Sequence, residues 1–369
     1  MTETSPHLET PAGKPRARAL GLAFPGVPGR WNAITDVTGV EVGYQTLIRG
    51  PEVRTGVTAI HPRGRADPGD PVAAGFFSLN GNGEMTGVSW IEESGTTMLP
   101  ITLTNTHAVG VAHEGTVRWV ADRFGDIAQL WMLPVAAETW DGYLNDINGG
   151  HVTRDDAIAA IESARPGPIE EGSVGGGTGM NCYAFKGGSG TASRLVDFGG
   201  ERYTVGAFLQ CNFGARSELT ILGRPLGELL ADDNPLEDTS WFPSGGGSVI
   251  AVIATDAPLL PGQCKALARR VPLGLARTGT SGSHFSGDLF LAFSTANPGV
   301  FATGFSLGEP SSADRGRLEF IQWKWMDRLF EAVVQSVEEA VVNALSANDE
   351  MVGRDGHRTP ALPRDRVAR

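Results

Sequence analysis

Cysteine is scarce in this chain. Its three residues, Cys182, Cys211 and Cys264, lie far apart in apolar surroundings. No C-x-x-C or mixed His/Cys spacing accompanies them, so buried free thiols are expected and a metal centre is not. The seven histidines form no H-E-x-x-H pattern. Positive charge is also short: the net charge is −12, which argues against a nucleic-acid or anionic-membrane partner. No run of about 18 apolar residues could span a membrane. Met1 to Ala19 is polar and rich in Pro and Arg, without the apolar stretch of a secretory signal. These absences together predict a soluble, cytoplasmic protein.

Apolar material and glycine are plentiful. Hydrophobic residues make up 41% of the 369, enough for a sizeable core, and the 50 glycines predict many tight turns and close backbone approaches. Neither a low-complexity linker nor a repeat of fixed period interrupts the chain, so residues 1–369 read as one domain. Residues 1–18 and 347–369 read as solvated tails. Expected strands are Gly56–Ile60, Ala73–Leu79, Met98–Thr104, Leu130–Ala136, Val205–Cys211, Val249–Thr255 and Leu289–Thr295. Helical spacing marks Thr116–Phe124, a helix opened by a capping box at Thr153–Asp156, Gln263–Leu275 ended or kinked by Pro272, and a long helix from Ile321 to Leu345. Mixed strands and helices of this kind predict a layered α/β architecture with helices outside two sheets.

One stretch organises the rest. Trp241-Phe-Pro-Ser-Gly-Gly-Gly247-Ser248 runs straight into Val249–Thr255, a β-branched run expected to be buried on both faces. A loop entering a strand is the ordinary meaning of such a run. The sharper meaning is a self-cleavage site. Breakage of the Gly247–Ser248 peptide makes Ser248 a chain start with both a hydroxyl and an α-amine. Such an amine has a reference pKa of about 7.7–8.0, so it can serve as general base to its own hydroxyl.

Other motifs stand at similar places. Gly81–Gly87 has the wrong spacing for a dinucleotide loop, and Gly172–Met180 lacks the Lys-Ser/Thr of a phosphate loop, so both read as structural turns. Glu138-Thr-Trp140-Asp-Gly-Tyr143 follows an expected strand, either as a polar turn or as the wall of a pocket. Asn212 ends another apolar strand, either forming a turn or donating to an oxyanion. Ser286-Gly-Asp288 opens the strand Leu289–Thr295, repeating the arrangement at Gly247-Ser248. In an extended segment Ser286 and Asp288 point to one side.

Taken in order, these blocks resemble the self-processing L-aminopeptidase/D-esterases and β-peptidyl aminopeptidases. The resemblance runs through Asn80–Glu84, Glu93–Gly95, Pro100–Thr106, Glu138–Gly149, Gly172–Met180, Asn212–Gly214, Gly247–Pro258 and Ser286–Thr295, nearly the whole chain. It implies a four-layer αββα sandwich like that of N-terminal nucleophile hydrolases, with different strand connectivity. It also implies cleavage into an α chain (1–247) and a β chain (248–369), and tetramers of the αβ unit. Ser248 is then the nucleophile, with Ser286 and Asp288 beside it and Asn212 holding the oxyanion. Glu138 matches the group that binds the substrate amine. Position 140, Trp140 here, is aromatic in relatives. The activity implied is a cofactor-free aminopeptidase acting on small peptides, amides or esters. Two rivals are weighed against it: a self-cleaving N-acyltransferase on a related fold, which typically cuts before Thr, and a non-catalytic small-molecule binding protein, which would not be processed at all.

Overall fold

Residues 5–237, 247–301, 304–305 and 308–368 are described by a computed structural model. The Trp241–Gly246 part of the glycine loop falls outside them, whereas Gly247 and Ser248 fall within.

Two sheets face each other between helices. The smaller contains β1 (Glu41–Arg49), β2 (Val53–His61), β5 (Ile101–Asn105) and β6 (Ala136–Thr139) in the order β1-β2-β5-β6. The larger contains β3 (Val72–Gly81), β4 (Thr96–Thr97), β7 (Gly188–Phe198), β8 (Glu201–Asn212), β9 (Ser248–Thr255) and β10 (Gly287–Ser294). Their order is β4-β3-β10-β9-β8-β7. Helices α2 (Val109–Arg123) and α3 (Arg154–Ser163) cover the smaller sheet. Helices α4 (Pro261–Ala268), α5 (Val271–Ala276) and α6 (Asp327–Ser346) gather on the larger. A short helix, α1 (Val88–Ser94), follows β3.

The expected αββα layering is therefore present, and β9 explains why the sequence announced it. Ile250, Val252 and Ala254 join the core between the sheets, with Ile60, Leu103 and Phe208. Val249, Ala251 and Ile253 join the core under the helices, with Val333, Val337 and Val341 of α6. A strand covered on both faces cannot alternate apolar with polar, so its run is unbroken. The third core, Val57 and Ala59 against Ala112, Trp119, Ala157 and Ile161, closes the other side.

Several expectations need correction. Among the described residues, both ends contain packed positions and are not simply solvated tails. Arg16 is buried, with its Nε 2.6 Å from Glu171 Oε2, and its guanidinium also donates to the carbonyls of Pro6, Trp31, Asn32 and Thr191. At the other end Ala347, Asn348, Thr359, Leu362 and Val367 are buried. At Arg16 the charge is satisfied internally. Leu130–Val135 forms no strand, and pairing begins at Ala136, where β5 supplies a parallel partner. Pro272 does not end a helix. It lies in the first turn of α5, where its missing N–H costs nothing, and the chain turns before it at Arg269–Arg270. The long helix begins at Asp327 after a 3-10 turn at Trp323–Trp325. Strands β1 and β7 were not anticipated. Thr153 caps α3 as expected: its hydroxyl accepts the Asp156 N–H at 3.3 Å, and the Asp156 carboxylate accepts the Thr153 N–H at 2.9 Å.

Candidate active site

Three neighbouring strands bring Ser248, Asn212 and the Ser286–Asp288 pair to one end of the larger sheet. Strands β8 and β9 are antiparallel and place Asn212 opposite Ser248. Strands β9 and β10 are parallel and place Gly287 opposite Ser248. The two hydroxyl-bearing strand mouths that look alike in sequence are thus neighbours in space.

Ser248 is buried at the mouth of β9. Its Oγ donates to the Gly247 carbonyl at 2.7 Å and accepts the Gly287 N–H at 3.2 Å. The same Gly287 N–H lies 3.3 Å from the Gly247 carbonyl oxygen. The Ser248 hydroxyl, the Gly247 carbonyl and a backbone donor therefore share one small space. Gly247 has φ +152°, and a Cβ there would lie 1.9 Å from the Asn212 carbonyl oxygen, so only glycine fits without movement.

Ser286 and Asp288 point the same way, and Ser286 Oγ donates to Asp288 Oδ1 at 2.5 Å. Asn80 of β3 donates from Nδ2 to the other carboxylate oxygen at 2.8 Å. The register slips here: Asp288 faces Asn80 but Leu289 faces Ser78. That bulge leaves Leu79 without a partner and re-aims the strand end. Burial pushes the Asp288 carboxyl up, against the hydrogen bonds from Ser286, Asn80 and the Val249 N–H.

Glu138 arrives from the other sheet, on β6. Its carboxylate accepts the Glu84 N–H at 2.9 Å and the Thr106 hydroxyl. The Gly83 loop lies between it and β10. A Cβ on Gly83 would lie 3.2 Å from Glu138 Oε1 and 3.1 Å from Gly287 Cα. Burial pushes the Glu138 carboxyl up as well, opposed by its bonds to Thr106 and the Glu84 N–H. Among the described residues, no lysine or arginine pairs with Glu138 or Asp288. Two buried, uncompensated carboxylates make this a place suited to a cation.

Asn212 is held at both ends of its amide. Oδ1 accepts the Asn181 N–H at 2.8 Å, and Nδ2 donates to the Trp140 carbonyl at 2.8 Å. One Nδ2 hydrogen is left for another acceptor. It is the Trp140 carbonyl that bonds Asn212; the Trp140 ring packs at the edge of a cluster of Tyr143, Leu144, Ala184 and Leu236.

The pattern over residues 32–359 matches peptidase family S58. The chain belongs to that family. It is 47% identical to β-peptidyl aminopeptidase BapA of Sphingosinicella microcystinivorans, over 95% of this chain and 90% of the relative. Among solved structures, it is similar to the L-aminopeptidase D-Ala-esterase/amidase of Ochrobactrum anthropi, described as a prototype serine aminopeptidase and a variant of the Ntn hydrolase fold. That match has 46% identity and a TM-score of 0.88, covering 96% of this chain and 97% of the other. A Burkholderia sp. β-aminopeptidase matches with 44% identity and a TM-score of 0.84, covering 95% and 97%. This S58 chain is accordingly a serine-type aminopeptidase on an Ntn-like α/β sandwich.

Four partners at this candidate site escaped the sequence reading. Asn80, Thr106, the Glu84 N–H and the Gly287 N–H each hold a predicted residue, from segments distant in sequence. Asn80-Gly-Asn-Gly at the end of a strand was the nearest local signal, and it reads equally well as a turn. The Gly172–Met180 loop is structural, as expected. It runs between the sheets, where a Cβ on Gly176 would come 2.2 Å from Gln210 Oε1 and 2.6 Å from the Leu103 carbonyl.

Proposed function

We propose that this serine peptidase cuts itself between Gly247 and Ser248, then releases N-terminal residues from short peptides, amides or esters through an acyl-enzyme on Ser248. One observation carries the proposal: the Ser248 hydroxyl lies against its own preceding carbonyl, with the Gly287 N–H beside both atoms. In self-cleavage Ser248 Oγ attacks the Gly247 carbonyl carbon and the oxyanion develops towards the Gly287 N–H. The C–N bond breaks, the Ser248 nitrogen takes the hydroxyl proton, and water hydrolyses the resulting ester. Ser248 then carries a free amine.

In turnover that amine accepts the Ser248 hydroxyl proton as Oγ attacks the substrate carbonyl. The free Nδ2 hydrogen of Asn212 and backbone N–H groups hold the oxyanion, each such donor contributing about 10²–10³ in rate. The substrate's leaving nitrogen takes the proton back, and water releases the acyl group. Asp288, oriented by Ser286 and Asn80, offsets the positive charge on the Ser248 amine. Glu138 binds the substrate ammonium, with Trp140 lining the approach. β-, L-α- or D-residues are the substrate class.

We assign the working form to a tetramer of αβ units, consistent with the exposure of Phe320, Trp323 and Trp325 on one segment. A reducing, cytoplasmic setting fits the three buried free thiols. The test is a denaturing gel with intact mass on purified protein. Fragments 1–247 and 248–369 are expected, and Ser248→Ala should remain one chain of 38.9 kDa. An uncut wild-type protein with full activity would overturn the mechanism.

A further inference from the structure

Lys186 is fully buried in a strand pair, Asn181–Cys182 with Phe185–Lys186, lying beside the end of β8. Its Nζ donates to the Met180 carbonyl at 2.7 Å and the Gly187 carbonyl at 2.8 Å. Among the described residues no carboxylate forms an ion pair with it. An ammonium held only by carbonyls is a costly thing to bury, and burial indeed pulls this lysine down to about 7. A methionine would fill the same volume without that cost.

The carbonyl that Lys186 grips belongs to the Met180–Asn181 peptide, and the N–H of that same planar unit donates to Asn212 Oδ1 at 2.8 Å. Fixing the carbonyl fixes the direction of the N–H, and a donor on the oxygen polarises the peptide and strengthens the N–H as a donor. With Oδ1 tied down, the Asn212 amide cannot flip without setting donor against donor. Its Nδ2 must face Trp140 and the space beside Ser248.

We propose that Lys186 is a positioning residue, acting through the Met180–Asn181 peptide to hold the Asn212 amide in its donor-out orientation. The inference rests on the reading of Asn212 as oxyanion donor given above. The Met180 carbonyl also accepts the Gly187 N–H at 3.0 Å, so removing Lys186 leaves it a partner and the hairpin intact.

The experiment is a double-mutant cycle on full-length protein. It compares Lys186→Met and Lys186→Gln in the wild-type and Asn212→Ala backgrounds, with rates normalised to the fraction cleaved by intact mass. Asn212→Ala should lower kcat about 10²-fold. Lys186→Met should lower kcat about tenfold with KM within about twofold, because a misaligned donor is missed mainly in the transition state. Lys186→Gln, which keeps a shorter, neutral donor group, should fall between Lys186→Met and wild type. In the Asn212→Ala background both lysine variants should change kcat by less than about twofold, since the residue they act through is gone. Equal losses in both backgrounds, an unchanged kcat for Lys186→Met, an effect confined to KM, or failure of both lysine variants to fold would each overturn the proposal. Wild-type kcat for Asn212→Ala would instead remove the oxyanion reading itself, so the two failures are distinguishable.

Discussion

Gly247→Ala tests self-cleavage at a close backbone approach. The added Cβ would stand 1.9 Å from the Asn212 carbonyl oxygen, and real Cβ atoms essentially never come within 3.0 Å of a non-bonded heavy atom. That oxygen is backbone at the end of the paired strand β8, so the Gly247 peptide must move by about 1 Å. The Gly287 N–H to Gly247 carbonyl distance is already 3.3 Å, and a shift of that size breaks it. Losing one oxyanion donor costs about 10²–10³ in rate, and a 1 Å misplacement of reacting atoms about 10². Alanine at φ +152° also introduces backbone strain of about 1–3 kcal/mol, which would favour cleavage if it persisted. The shift that relieves the clash relieves the strain too, so misalignment wins. Processing should slow at least about 100-fold, read by intact mass at timed intervals after synthesis. Gly110→Ala, where an added Cβ meets nothing within 4 Å, should process at the wild-type rate, and Ser248→Ala sets the zero. Conversion of Gly247→Ala within twofold of wild type would refute the geometric argument.

Ser286→Ala and Asp288→Asn should each lower kcat about tenfold or more at unchanged circular dichroism, because each removes part of the charge balance at the Ser248 amine; normal rates in both would leave them as strand-entry residues. N-acetylation of a good substrate should abolish cleavage. Glu138→Gln should process normally yet lose one to two orders of magnitude in kcat/KM on amino-acid amides, the worth of a charge-assisted bond of roughly 1.5–3 kcal/mol; equal wild-type rates on free and acetylated substrates would remove the amine anchor. Because burial raises the Glu138 carboxyl, kcat/KM should fall on the acid side as that group protonates, and the fall should begin above the ordinary glutamate range. Asp141, fully buried with one carboxylate oxygen unpartnered, is pushed up to about 7. A raised carboxyl favours the protonated folded form, so its contribution is full below pH 4 and is lost as pH rises to about 7. Asp141→Asn should therefore gain melting temperature relative to wild type between pH 4.5 and 7.5. An equal difference at both pH values would show that Asp141 does not titrate there.

How much of the fold is legible in the chain depends on how local each cause is. The unbroken run Val249–Thr255 demanded a strand with both faces covered, and that alone requires layers on either side of it. Gly247-Ser248 and Ser286-Gly-Asp288 were legible as polar strand mouths because a switch from small, polar residues to an apolar run is written in consecutive positions. Their adjacency was not. It follows from the parallel pairing of β9 with β10, made after two intervening helices, and from the antiparallel register that sets Asn212 opposite Ser248. Glu138 reaches the cluster from a different sheet, through the Gly83 loop.

The misreadings have the same origin. Arg16 looked solvated because its acid, Glu171, lies 155 positions away. Lys186 and Asp141 carry no local mark of burial, since a charged side chain looks the same in sequence whether water or backbone carbonyls surround it. The sequence by itself determined which segments must be hidden and that a serine hydroxyl stands at the mouth of a buried strand. Tertiary structure alone decided which distant groups face that hydroxyl, because strand order and register are set by packing summed over the whole core and not by any one segment.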